Sequence, residues 1–169
     1  MKIFNNDLKL FSKIFLISSV PVTSWSAQRP NIFFPKLETF FFLCLGLFIF
    51  GLGESILVIS QNGVTPWTVL AEGVAKIVNI GIGLSTFIIS CIVLIFWLPL
   101  KLKPGLGTIM NIFIIALTMG GTIPFLYFLN EFFHPVFLSF FGTLLVGFGS
   151  GIYLICLLYT SPSPRDFTE

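Results

Sequence analysis

The sequence predicts an all-α, polytopic transmembrane protein with four spans and one short amphipathic helix. Three observations predict it. Hydrophobic residues fill 56% of the 169 positions, and mean hydropathy is +1.01. Charged residues make up only 9%, against about 25% in a soluble domain, which leaves too few to cover a globule. The apolar residues also gather into separate runs of about 20, the length a helix needs to cross a bilayer. This composition excludes an ordinary soluble enzyme, a disordered chain and a nucleic-acid binder. A net charge of +2 is too small to argue for an acidic partner.

The first 36 residues hold Lys2, Lys9, Lys13, Arg29 and Lys36 beside an apolar stripe of Leu8, Phe11, Ile14 and Phe15. Positions 1–36 are therefore expected to form a basic amphipathic arm on an anionic membrane surface. A weak signal peptide or an over-extended start is the alternative. The membrane domain is expected over 37–155, with spans over 40–59, 81–100, 108–129 and 136–155. Gly120, Gly121 and Pro124 in the third span predict either a kink or a broken helix facing a polar cavity.

Between the first two spans, 66–78 reads as a short helix. Thr65 suits the N-cap, and Pro66 suits the first helical position. Trp67, Leu70, Ala71, Val74, Ile77 and Val78 share one face, and Glu72 and Lys76 form an i,i+4 pair on the other. About 13 residues reach only about 20 Å, too short to span, so this helix lies in the interface or dips in and returns.

Basic residues set the expected orientation. With the N-terminus inside, the arm, Lys101 and Lys103 fall on the cytoplasmic side, and only Lys76 falls outside. The location expected is a bacterial cytoplasmic membrane.

Glu54 is an acidic residue deep in an apolar run, so it is a candidate either for a structural pairing or for a substrate or proton site. It should lie near the outer end of span one, within reach of water or Lys76. Gln61, Asn62, Thr65, Trp67 and Glu72 could complete a polar pocket with it. Asn-Gly at 62–63 also signals an ordinary turn. Asn111 is placed one turn into span three, where it either joins the site or bonds a neighbouring helix. The loop from Lys103 to Thr108 is glycine-rich before a helix, but lacks the pattern of a Walker loop.

Cys44, Cys91 and Cys156 fit no metal or redox spacing, and His134 is the single histidine. No enzyme, metal or cofactor is expected. The partners expected are the lipid bilayer and an unknown small molecule, with no nucleic acid. A homo-oligomer or a second membrane protein stays open.

Several short motifs follow one another in order. They are Gly51-Leu52-Gly53-Glu54-Ser55, Asn62-Gly63-Val64-Thr65-Pro66-Trp67, Gly81-Ile82-Gly83, Trp97-Leu98-Pro99 and Lys103-Pro104-Gly105-Leu106-Gly107-Thr108. This series resembles the YczE/YyaS/YitT-type family of bacterial integral membrane proteins. The resemblance implies a membrane architecture and location but no reaction, and members of that family are longer at the C-terminus. The leading expectation is a small-molecule permease or exporter. The alternative is a non-transporting scaffold or accessory factor for another membrane protein.

Two further patterns stand out. Gly51-Leu52-Gly53-Glu54-Ser55-Ile56 resembles Gly147-Phe148-Gly149-Ser150-Gly151-Ile152, each residue 96 positions after its counterpart. Three spans per unit would make two such copies antiparallel, as in inverted repeats. From Cys156 the string Cys-Leu-Leu-Tyr-Thr-Ser-Pro-Ser-Pro-Arg-Asp reads like an in-frame translation of a sequencing adapter. Residues 156–169 are therefore expected to be a non-native tail on a fragment.

Overall fold

A computed structural model describes residues 24–25, 35–97, 99–100 and 104–157. It is all-helical among these residues. The elements are α1 (Leu37–Ser60), α2 (Pro66–Val78), α3 (Ile82–Trp97), α4 (Leu106–Leu126), α5 (Leu129–Phe132) and α6 (Pro135–Leu157). The expected arm over 1–36 lies outside the described residues, apart from Ser24, Trp25, Pro35 and Lys36. The expected tail lies outside them beyond Leu157, while Cys156 and Leu157 continue α6.

Three helices are long and apolar enough to cross a membrane: α1, α4 and Pro135–Cys156 of α6. α3 is shorter, at 16 residues, or about 24 Å. It follows α2 at a bend of 109°, so the two form one broken span or a re-entrant loop, and up to four spans result. The second expected span, 81–100, thus stops at Trp97 and gives way to a turn at Pro99 and Leu100. These helices suit a membrane location.

α1 is the hub. Gly46 packs against Gly149 and Tyr153 of α6, and Gly53 packs against Gly142 and Val146. The order of these pairs makes the two helices antiparallel. A Cβ on Gly53 would lie 2.7 Å from the Val146 backbone nitrogen, and one on Gly149 2.5 Å from that of Phe50. Only glycine permits such an approach, and close backbones replace the hydrophobic driving force that lipid removes. On another face α1 runs parallel to α4. Gly51 meets Thr118, and Thr122 Oγ1 lies 2.7 Å from Ser55 Oγ.

The expectation of a break in the third span is not met. α4 continues through Gly120, Gly121 and Pro124, and the chain turns only at Tyr127 and Phe128. Pro124 stands in the last turn of α4, where its missing N–H leaves most of the helix intact. Gly120 has a packing role instead: a Cβ on Gly83 of α3 would meet its Cα at 2.5 Å. α3 and α4 run antiparallel below that contact, with Phe87 and Phe113 rings 5.3 Å apart.

α2 begins at Pro66 and ends at Asn79, which adopts the left-handed conformation at φ 58°. Its docking face consists of Thr68, Ala71 and Ala75, while Trp67, Leu70, Ile77 and Val78 are exposed. The large residues of the apolar stripe therefore face outward, as suits lipid, while Ala71 of the same stripe is buried. The helix is held from within by small residues and by the Ser85 hydroxyl, which donates to the Ala71 carbonyl at 2.7 Å. Glu72 and Lys76 face each other at 4.0 Å.

Candidate functional site

The site grows from the way the chain leaves α1. Gln61 closes the helix in the left-handed conformation, and the segment after it returns along the helix it has just left. That return brings the start of α2 beside Glu54, six residues before the end of α1. The Thr68 hydroxyl donates to Glu54 Oε2 at 2.6 Å. The Thr65 hydroxyl lies 3.0 Å from the same oxygen and 3.2 Å from Thr68 Oγ1. Thr65 holds the N-cap position without a side-chain cap bond, because its hydroxyl is committed to the carboxyl group.

Glu54 is 1% exposed. Its second oxygen, Oε1, is buried and meets no hydrogen-bond partner. The partner expected from the sequence, Lys76, stands elsewhere: its ammonium is at Glu72, on a side chain 81% exposed. An acidic group is thus held at a defined place by two hydroxyls, with half of its acceptor capacity unused.

Glu54 lines a cavity of about 310 Å³. Each neighbouring helix gives it one face. α3 contributes Thr86, Ser90, Leu94 and Trp97, spaced as one helical stripe. α4 contributes Thr108, Asn111, Ile115 and Met119, likewise a single stripe. Phe50 comes from α1 and Tyr153 from α6, while Thr65, Trp67 and Thr68 close the end at Glu54. The cavity therefore extends from the buried carboxyl group toward the turn between α3 and α4. It is mostly apolar with a few polar groups turned inward, the usual character of a small-molecule site.

The structure brings together four of the residues singled out in the sequence: Glu54, Thr65, Trp67 and Asn111. It separates the other three. Gln61 and Glu72 line a different hollow with Lys76 and Asn79. Asn62 is exposed, and its backbone N–H donates to Ser60 Oγ at 3.4 Å. The re-entrant path explains the division, since 61–62 remain at the end of α1 while 65–68 descend beside Glu54. Sequence reasoning missed Thr68, Thr86, Ser90, Thr108, Trp97 and Tyr153. Thr68 had a usable signal, being one helical turn after Thr65. Of the glycine-rich loop, Lys103 lies outside the described residues, Gly105 occupies the N-cap position of α4, and Thr108 faces the cavity.

A second polar connection ties the C-terminal end of α1 in place. Asn130 Nδ2 donates to the Ile59 carbonyl at 2.8 Å, and Ser139 Oγ lies 3.0 Å from Ser60 Oγ. These contacts fix the end of α1 and hence the starting point of the return toward Glu54. No group of three or more metal-ligating side chains occurs among the described residues.

Comparison with known proteins identifies a family without a reaction. The family model of DUF6198 matches residues 37–164. The chain belongs to DUF6198, a family of unknown function. An uncharacterised protein of Haemophilus influenzae is 42% identical over 147 residues, which is 87% of this chain and 66% of that relative. The chain thus spans just under two thirds of the length of the relative it matches. No solved structure matches it. The matched DUF6198 region contains all six helices described above and every residue of the cavity.

Proposed function

We propose that this protein is a small-molecule permease or exporter, and that the Glu54 cavity is its substrate site. One observation carries the reading. A buried carboxyl group with a free acceptor oxygen ends a cavity walled by hydroxyl, amide and aromatic side chains from five helices. Ionisable groups are expensive in the membrane and are typically retained along substrate or ion pathways. An unsatisfied buried oxygen on a residue that lines a cavity supports a ligand or ion site over a purely structural pairing.

The proposed setting is a bacterial cytoplasmic membrane with the N-terminus inside. The lysines at 101 and 103 support that orientation, and the bacterial source of the relative supports a bacterial setting. In this orientation the cavity extends from Glu54 toward the cytoplasmic side, where Trp97 and Thr108 line it. We read the motif series as placing the chain near the YczE/YyaS/YitT-type proteins and propose no enzymatic activity for it.

The test is a transport phenotype in a strain lacking the gene, complemented by variants. Glu54→Gln should reach the membrane at the native level and abolish the phenotype. Transport unaffected by this change would remove Glu54 from the mechanism. Cysteine placed at Asn111 should react with a water-soluble maleimide in intact membranes. An unreactive position would mean a dry bundle and would favour the scaffold reading, in which a partner protein co-purifies.

A further inference from the structure

We infer that the cavity takes a small organic cation, an amine or quaternary ammonium on a compact apolar body. This rests on the reading of the cavity as a ligand site and adds the charge and chemistry of its occupant.

The charge balance of the cavity favours a cation. Glu54 Oε2 is satisfied by hydroxyls, while Oε1 is buried and unpartnered. Among the described residues, no lysine, arginine or histidine lines the cavity. An unpaired carboxylate in such surroundings is costly, and a cation seated in the cavity would remove that cost. An anionic ligand would raise it.

The rest of the wall suits the same ligand. Trp67, Trp97, Tyr153 and Phe50 bring four aromatic rings to one small space. Aromatic faces attract ammonium groups, and tryptophan does so most strongly. Asn111 and Ser90 supply acceptors for the N–H groups of a primary amine. A volume of about 310 Å³ sits at the small end of ligand pockets, which favours a compact amine over an extended one.

The experiment uses the purified protein in detergent, with benzyltrimethylammonium as probe. Neopentylbenzene, its uncharged shape mimic, and phenylacetate serve as comparison ligands. Tryptophan emission reports binding, because Trp67 and Trp97 line the cavity. The expected result is saturable quenching by the ammonium compound alone. Glu54→Gln should weaken it by about tenfold or more, and Trp97→Leu by about threefold. Glu54→Asp keeps the charge and should stay within about threefold of the native protein. Equal binding of the neutral mimic would overturn the inference, as would native affinity in both Glu54→Gln and Trp97→Leu. Flux through proteoliposomes separates this inference from the permease reading. Cation binding without flux supports the inference and sinks the permease. Flux of phenylacetate without cation binding does the reverse.

Discussion

α1 and α6 meet along one glycine seam. At the 96-residue offset, Gly46 corresponds to Gly142 and Gly53 to Gly149. In space the pairs cross over: Gly46 packs on Gly149, and Gly53 on Gly142. Each glycine thus touches the counterpart of the other, the self-complementary contact that a two-fold axis between antiparallel copies produces. Away from the seam the helices diverge. Gly51 and Ser55 of α1 are covered by Thr118 and Thr122 of α4. A Cβ on Gly147 or Gly151, their counterparts on α6, would meet open space. Where α1 carries Glu54, α6 carries Ser150. Shared glycines therefore build the seam, and the residues that differ carry the chemistry.

The largest effect is expected at the seam. Gly53→Leu would drive a side chain into the backbone at Val146, with no flexible neighbour to yield. The loss should be about 3 kcal/mol or more, beyond the usual cost of overpacking because backbone rather than side chain is in the way. Denaturant unfolding in mixed micelles would measure it. Gly149→Leu should cost a similar amount, since its Cβ would meet Phe50 backbone atoms at 2.5 Å. A marked inequality between the two would break the symmetric view of the seam.

The next effect is functional. Glu54→Gln removes a charge but keeps the shape and the acceptor oxygen for Thr68. Folding should change by no more than about 1 kcal/mol, while transport is lost. Ser150→Glu, at the counterpart position on α6, should not restore it, because no hydroxyl pair from α2 faces that site. Rescue by this change would show that the two helices are interchangeable and would sink the contrast drawn here.

How much of this was legible in the sequence depends on how local the signal is. The helices were readable, because an apolar run of sufficient length has few other fates. The helix beginning at Pro66 was readable from its first residues and its length. The docking face of α2 was not. Amphipathic periodicity groups Trp67, Leu70, Ala71, Val74, Ile77 and Val78, yet the large residues of that stripe face outward and the small Ala71 packs inward with Thr68 and Ala75. Gly120 and Gly121 with Pro124 read as either a kink or a break, because the same residues serve for kinks, for breaks and for close approach. Only the position of Gly83 against Gly120 distinguishes them. Thr86, Ser90 and Thr108 were invisible as cavity residues, because hydroxyls in membrane helices usually bond their own backbone. Thr86 still does so, donating to the Ile82 carbonyl. Glu54 was legible because a carboxyl group in an apolar run has no routine explanation.

A smaller effect is expected where α1 meets α4. Thr122→Val removes the hydroxyl beside Ser55 while keeping the branched shape. Ser55 still donates to the Gly51 carbonyl at 2.8 Å, so no buried donor is stranded. The cost should be about 0.6 kcal/mol, the average for a polar contact between membrane helices. A loss of several times that would show that this contact, rather than the glycine seam, holds α1 in place.

An effect of similar size is the most discriminating, because its sign differs between two matched sites. Gly51→Ala and Gly147→Ala are the same change at corresponding positions. At Gly51 a Cβ would lie 2.9 Å from Thr118 Cβ, so α1 and α4 must move slightly apart there, at a cost of about 1 kcal/mol. At Gly147 nothing lies within reach. The helix there should gain up to about 1 kcal/mol, since alanine restricts the unfolded chain and glycine does not. The two variants should therefore move stability in opposite directions in the isolated protein. If Gly147→Ala destabilises the protein in membranes but not in dilute micelles, that face is covered in the bilayer. The offset then supplies the geometry of the cover: a helix lying on α6 as α4 lies on α1.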